Sequence, residues 1–233
     1  MNIIKENDIM NYAIAIDGPA GAGKSTLAKI LAKELELIYV DTGALYRSIG
    51  YYVTRQGIDT ADTAAVVASL ESLTVELRYV EGVQRVFVNG EDVSDYIRTP
   101  AISMAASAVS AIPAVRAFLL DTQRDIAAKN SVVMDGRDIG TTILPDAKIK
   151  IFLTASPESR AKRRFDELQE KGDPATYEEV LADMIKRDYD DTHREISPLK
   201  QAEDAIPVDT SGETLEQSVA RMKEIVYSRL NEG

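Results

Sequence analysis

Residues Gly18-Pro19-Ala20-Gly21-Ala22-Gly23-Lys24-Ser25 satisfy G-x-x-x-x-G-K-[ST] at every fixed position. Tyr12 to Asp17 before them reads as a short buried strand. Leu27, Ile30, Leu31 and Leu35 after them have helical spacing. Strand, glycine loop and helix are the context this pattern needs. The glycines let backbone N–H groups turn inward around a phosphate, and the helix N-terminus adds partial positive charge. Lys24 can reach β- and γ-phosphates, and the Ser25 hydroxyl can hold Mg²⁺. The glycine spacing is wrong for a dinucleotide fingerprint.

The rest of the chain alternates short apolar runs with helical periods. Ile38–Asp41, Val132–Asp135, Ile149–Leu153 and Ala205–Asp209 read as further buried strands. Helical patterns cover 43–56, 61–72, 99–110, 113–128, 157–170, 177–194 and 214–230. Such alternation predicts an α/β fold: a five-stranded parallel sheet in a three-layer α/β/α arrangement. The texture changes at Leu73. Thr74–Val80 and Arg85–Val88 alternate at period two, and Asn89-Gly90 is a hairpin turn signal. A small antiparallel insert is expected there.

With 233 residues and 45% apolar composition, the chain can bury one full core with a small inserted lobe. It has no cysteine, so disulfides and thiolate metal sites are excluded, which favours a reducing compartment. Residues 1–8 carry Lys5, Glu6 and Asp8 without a long apolar stretch, so neither a secretion signal nor a membrane span is expected. A cytoplasmic monomer with small-molecule partners is the expectation. The net charge of −11 argues against a generic nucleic-acid binder. It does not forbid an anionic substrate, because screening confines exposed charges to ~8 Å at physiological salt.

Ligands of parallel α/β sheets sit beyond the carboxyl ends of the strands. Asp41-Thr42-Gly43-Ala44-Leu45-Tyr46-Arg47 offers an acid, a hydroxyl and an arginine one turn into a helix, or else an ordinary N-cap with a solvated arginine. Asp135-Gly136-Arg137-Asp138-Ile139-Gly140-Thr141 begins with a strand-end acid able to hold Mg²⁺, or is a turn with an internal ion pair. Arg160 and Arg164 share one face of a basic helix before the Gly172/Pro174 break. They suit a mobile lid that brings arginine to the γ-phosphate and excludes water, or a solvated face balanced by Glu158, Asp166 and Glu167. Arg187, Asp191 and Arg194 fall on one helical face, as a site or as surface ion pairs. His193 lies off that face and reads as a bystander. A phosphate loop surrounded by arginines suggests phosphoryl transfer between two anions, which needs little help from a general base.

Together, Ile16–Thr26, Asp41–Arg47, Asp135–Thr141 and Arg187–Arg194 resemble the bacterial cytidylate kinases, a nucleoside monophosphate kinase family, over nearly the whole chain. That resemblance implies a single P-loop kinase domain over 1–233, with a monophosphate-binding insert near 73–100 and a lid near 160–175. It implies transfer of the ATP γ-phosphate to CMP or dCMP, with Mg²⁺ accompanying the donor. Gly18, Pro19, Ala20, Gly21, Ala22, Gly23, Lys24, Ser25 and Thr26 would hold ATP. Lys24, Arg137, Arg160 and Arg164 would stabilise the transfer. Arg47, Arg137 and Arg194 would hold the acceptor phosphate, and Thr42, Arg187 and Asp191 would lie by phosphate and sugar. Ser107, Arg116 and Asp138 would read the base, with Ser103 and Ser110 close alternatives to Ser107. Ser25 with Asp41 or Asp135 would organise the metal. The ATP base would rest near Asp209-Thr210-Ser211-Gly212. Shikimate- or adenylate-type kinases would not be expected to combine the Asp135–Thr141 loop with the insert. A GTPase switch would need an N-K-x-D motif, which is absent from the sequence.

Overall fold

The computed structural model describes residues 11–231. In chain order the elements are β1 (Ala13–Asp17), α1 (Lys24–Glu34), β2 (Ile38–Asp41), α2 (Thr42–Arg55) and α3 (Thr63–Ser69). There follow β3 (Val75–Val80), β4 (Val83–Val88), β5 (Glu91–Asp92), α4 (Pro100–Ser110) and α5 (Pro113–Lys129). The chain closes with β6 (Val132–Gly136), β7 (Ile149–Thr154), α6 (Pro157–Glu170), α7 (Tyr177–His193), β8 (Ile206–Asp209) and α8 (Leu215–Asn231).

The main sheet runs β2-β6-β1-β7-β8, and every pairing in it is parallel. Ile14, Ala15 and Ile16 of β1 and Val132, Val133 and Met134 of β6 are fully buried. Apolar runs without alternation therefore become central strands covered on both faces. The order places β1 between β6 and β7, so the glycine loop after β1 emerges beside the loop after β6. Asp41 and Asp135 are register partners at the ends of β2 and β6.

Local signals set the helix starts. Asp41 accepts from Ala44 N at 2.9 Å and caps α2. Thr99 and Ser156 cap α4 and α6, each with proline in the first turn. Thr176 and Glu179 form a capping box on α7. By contrast, α1 begins after Gly23 (φ +90°) with no side-chain cap, so its first N–H groups face the loop it closes. Gly18 has φ +148°, and a Cβ there would lie 1.9 Å from the Leu153 carbonyl oxygen, so β7 presses directly on the loop backbone.

A second lobe grows from β3, β4 and β5, an antiparallel sheet whose Asn89-Gly90 turn has both residues at positive φ. Its core joins Val75, Val86, Val88 and Val93 to Leu45 and Ile49 of α2, Ile102 and Val109 of α4 and Leu119 of α5. The small sheet is one face of a larger apolar unit that also contains these three helices. Gly50 permits the contact of α2 with α4, since a Cβ there would lie 2.9 Å from Ala106 N. Gln84 ties this lobe to the edge of the main sheet: its Oε1 accepts from Asp41 N at 3.0 Å. Among the described residues, no single helix is long and apolar enough to cross a membrane.

Candidate active site: a phosphate loop facing a buried arginine ring

The loop 18–25 and the ends of β2 and β6 meet in one cleft. Lys24 is buried and donates to Pro19 O at 2.7 Å, folding its ammonium back over the loop. Burial, and then the Arg137 guanidinium, pull its pKa below the usual lysine range, while Asp135 and Asp17 oppose them. Ser25 Oγ donates to Asp135 Oδ2 at 2.9 Å, and Tyr39 OH donates to Asp135 Oδ1 at 2.8 Å. Burial, and then Asp41, raise the Asp135 pKa. Asp41 takes a different part from the one expected for a metal acid. Its oxygens are spent on Ala44 N, on Arg47 at 2.8 Å and on Arg98 at 3.4 Å. A helix cap and two arginines already engage both of its oxygens. Ser25 with Asp135 is therefore the pair whose geometry fits a hard cation: a hydroxyl and a carboxylate side by side, suited to Mg²⁺ completed by phosphate oxygens and water.

Beyond β6 the chain turns through a π-helical segment, Ile139–Ile143. Asp17, buried at the end of β1, accepts from Ile139 N at 2.8 Å and Gly140 N at 2.7 Å. One carboxylate thus joins the start of the phosphate loop to the loop carrying Arg137 and Asp138. Burial raises its pKa to about 6, against the pull of those two N–H groups. The protonated form is thus favoured more in the folded than in the unfolded chain. The stability this acid contributes is full below its ordinary value of 3.8 and is lost as pH rises through about 6. We predict that the melting-temperature gap between wild type and Asp17→Asn narrows from pH 4 to pH 6.5 and stays level above it. A gap independent of pH would contradict this.

The arginines form a ring. Arg116 and Asp138 are an ion pair, both buried. Arg116 Nη1 also donates to Ser110 O at 3.3 Å, and its guanidinium lies 5.5 Å from the Tyr46 ring centre. Arg194 lies 3.6 Å from Asp138 and 4.0 Å from Asp191. Arg137 Nε donates to Asp191 Oδ2 at 2.7 Å. Thr42 Oγ1 donates to Asp135 O at 2.7 Å. These pairs are buried, so the surface reading of the Arg187–Arg194 segment does not hold. That segment also ends its helix one residue earlier than expected. Arg194 is extended (φ −64°, ψ 145°) and turns toward Asp138 while its Nε donates to Ser197 O.

Arg47 Nε, Arg187 Nε and Arg194 Nη2 are buried with no hydrogen-bond partner among the described residues. Burial and the charges of Arg137 and Arg47 push the Arg187 pKa down to about 10. Burial and Arg116 lower that of Arg194. Orphaned donors and crowded like charges give these arginines the chemistry of an anion site. A cavity of about 440 Å³ reaches two of these arginines, Arg47 and Arg187, and is lined also by Ser25, Arg98 and Arg164 among others.

Arg160 and Arg164 share one helical face by spacing, as a lid pair or as a solvated pair. Arg160 instead is 2% exposed and donates to Ala155 O at 2.8 Å, to Ala20 O at 3.0 Å and to Asp188. It is a strut between α6, α7 and the phosphate loop. Arg164, paired with Glu167 at 3.1 Å, lines the cleft. Ser107 is half-buried on α4, where its carbonyl accepts from Ser110 Oγ at 2.8 Å. Thr210 lies by the loop side of the cleft, its carbonyl accepting from Arg163 at 2.8 Å. His193 is exposed and stacks on Tyr189. Sequence reasoning missed Asp17, Tyr39 and Arg98. Asp17 had a signal in directly preceding Gly18, whereas Tyr39 and Arg98 sit in runs without chemical pattern.

A cytidylate kinase family model matches residues 14–228. A cytidylate kinase of Lactobacillus johnsonii is 49% identical over 222 residues, covering 94% of this chain and 96% of that protein. One of Lactobacillus gasseri is 50% identical over 216 residues, covering 93% and 94%. An uncharacterized protein of Eubacterium ventriosum, solved as a crystal structure, has a TM-score of 0.50 at 14% identity, covering 94% of this chain and 99% of its own, a likeness of fold alone. The glycine loop, the arginine ring and these similarities converge: the chain belongs to the cytidylate kinase family.

Proposed function

We propose that this protein transfers the γ-phosphoryl group of ATP to CMP or dCMP, giving ADP and the pyrimidine diphosphate. The orphaned guanidinium N–H groups of Arg47, Arg187 and Arg194 carry this reading, because they suit a second anion, and Arg47 and Arg187 line the cavity that reaches the phosphate loop. Gly18–Thr26 wrap the donor phosphates, and Lys24 leaves the Pro19 carbonyl for the β- and γ-phosphates. Arg47, Arg137 and Arg194 hold the acceptor phosphate. Thr42, Arg187 and Asp191 lie by the phosphate and sugar. An acceptor phosphate oxygen supplies the electron pair for the new bond, and the β–γ bridging oxygen leaves with ADP. No side-chain base takes part.

Ser25 and Asp135 would hold Mg²⁺, which when bound neutralises charge on the donor phosphates. Replacing Asp135 with Asn should raise the Mg²⁺ concentration for half-maximal rate by about 10-fold or more. An unchanged Mg²⁺ dependence would remove Asp135 from the metal.

At the far end of the ring, Asp138 and Arg116 read the base, with Ser107 on the adjoining helix. Cytosine presents an N4 donor beside N3 and O2 acceptors. A carboxylate accepts from N4, and a guanidinium donates to N3 or O2. The lobe from α2 to α5 encloses the acceptor, and Arg164 on α6 faces the donor as part of a short lid. Arg160 fits support of the loop better than direct contact.

Arg187 supplies a separable test. Its charge is crowded by Arg137 and Arg47, so Arg187→Met should leave the nucleotide-free melting temperature unchanged or higher. The same substitution should lower kcat/KM for CMP by about 100-fold, the scale of a lost charge-assisted bond. A fall in stability with unchanged kcat/KM would make Arg187 structural. The proposal as a whole is tested by ADP release from ATP and Mg²⁺ with each common nucleoside monophosphate in turn. CMP and dCMP should drive turnover well above AMP, GMP and UMP. ATP consumption without an acceptor requirement would reject it.

A further inference from the structure

Arg98 stands apart from the arginines already given a role. Its neighbours fix its backbone: Ile97 is 1% exposed in the lobe core, and Thr99 caps α4. Its side chain, by contrast, is 59% exposed and is held by Asp41 Oδ2 at 3.4 Å. That oxygen already takes Arg47 at 2.8 Å, so Arg98 is the outer and looser of two guanidiniums on one carboxylate. Asp41 is buried, but the Arg98 end of the pair is open to water and its 3.4 Å contact is the longest that Asp41 makes to an arginine, so Arg98 is the partner that exchanges most readily.

Position gives this looseness a use. Arg98 lines the cavity of about 440 Å³ that contains Arg47 and Arg187, the acceptor side. It also lines a cavity of about 580 Å³ walled by Gly21, Gly23, Lys24 and Thr26, the donor side. Arg116 is committed to Asp138, Arg137 to Asp191 and Arg160 to Asp188, and Arg164, which also lines both cavities, is held by Glu167 at 3.1 Å. A long cationic arm on a fixed base, weakly tethered where the two cavities meet, can turn between them without any change in the backbone.

Building on the phosphotransfer reading above, we propose that Arg98 is a catalytic residue that leaves Asp41 and binds the phosphoryl group while it passes from donor to acceptor. The bond between the γ-phosphorus and the β–γ bridging oxygen breaks, its electron pair leaving with ADP. A new bond forms to an oxygen of the acceptor phosphate. Arg98 keeps its proton throughout and donates N–H bonds to the equatorial oxygens, where charge spreads in the transition state. Asp41 remains satisfied by Arg47 and Ala44 N after the exchange. Since Arg98 is drawn to the group in transit, its contribution falls on kcat more than on the affinity of either ground-state nucleotide.

The test compares wild type, Arg98→Ala and Arg98→Lys in acceptor-dependent ADP formation with CMP. Binding of ATP alone, of CMP alone and of ADP with CMP and aluminium fluoride is measured by calorimetry. Arg98→Ala should lower kcat by about 10² to 10³, shift the dissociation constants of ATP and CMP less than about fivefold, and weaken the aluminium fluoride complex in step with kcat. Arg98→Lys should recover part of the loss, because it keeps the charge and loses the planar fork. A kcat within threefold of wild type in Arg98→Ala overturns the proposal. So does a loss confined to CMP affinity, or a loss that tracks a lowered melting temperature without recovery in Arg98→Lys. Wild type that fails to phosphorylate CMP rejects the phosphotransfer reading itself, whereas active wild type with unaffected variants rejects only the role of Arg98.

Discussion

Replacing Arg137 with alanine should lower kcat by about 10³-fold, roughly 4 kcal/mol of transition-state stabilisation, while changing the KM for ATP less than about 10-fold. Two observations support a role for Arg137 between the substrates. Its charge is among the causes that lower the Lys24 pKa, so it stands within electrostatic reach of the donor lysine. Its Nε is bound to Asp191, and one terminal nitrogen reaches Gly136 O at 3.3 Å. The Asp191 contact fixes the plane of the guanidinium, and the charge on its far side is available to a phosphoryl group. Removing it strips charge where negative charge develops. Asp191 keeps Arg187 and Arg194 as partners, so the fold should survive. Arg137→Lys should fall between the two enzymes. Turnover within a few-fold of wild type in Arg137→Ala would reduce this residue to a strut for Asp191.

The second large effect is on base choice. Asp138→Asn should bring the CMP-to-UMP ratio of kcat/KM close to one, from a wild-type preference of about 100-fold or more. A carboxylate accepts from the cytosine amino group and repels the uracil carbonyl. An amide serves either base. Alanine is the harsher change: Asp138 is buried between Arg116 and Arg194, so its removal leaves Arg116 without its acid and Arg194 with only the 4.0 Å contact to Asp191. That loss should cost about 3–5 kcal/mol of stability. Specificity is therefore read from the asparagine variant, with Asp138→Ala confirming direction where it folds. An undiminished CMP preference would take Asp138 out of base reading.

What could be read in the chain beforehand divides along a physical line. Elements set by near neighbours were legible. Apolar runs became β1, β2, β6, β7 and β8, and Asn89-Gly90 turned the small sheet as its two positive φ angles require. The phosphate loop was legible because its chemistry is written in eight consecutive residues. Features that arise only when distant segments meet were not. Asp17 reaches Ile139 across 122 positions, and no local pattern announces that. Helical spacing placed Arg160 and Arg164 on one face but could not say which of them would be buried against Asp188. Nor could it show that α7 ends at His193, freeing Arg194 to turn back on Asp138. The sequence left Asp41 open as a metal acid beside Asp135 or as a helix cap. Whether a carboxylate meets a cation or an arginine depends on α2 and the 98–99 loop, which the strand itself does not encode. The net charge of −11 is silent on the site for the same reason, since arginines gather where the strand ends converge.

The central claim is that the unpartnered donors of Arg47, Arg187 and Arg194 await the phosphate of a pyrimidine nucleotide. A crystal structure with CMP and a non-hydrolysable ATP analogue tests it directly. The account predicts the CMP phosphate within hydrogen-bonding distance of those guanidiniums, the cytosine amino group on Asp138, and the analogue's phosphates in the Gly18–Thr26 loop. A pyrimidine bound elsewhere, with the three donors still unpartnered, would contradict it.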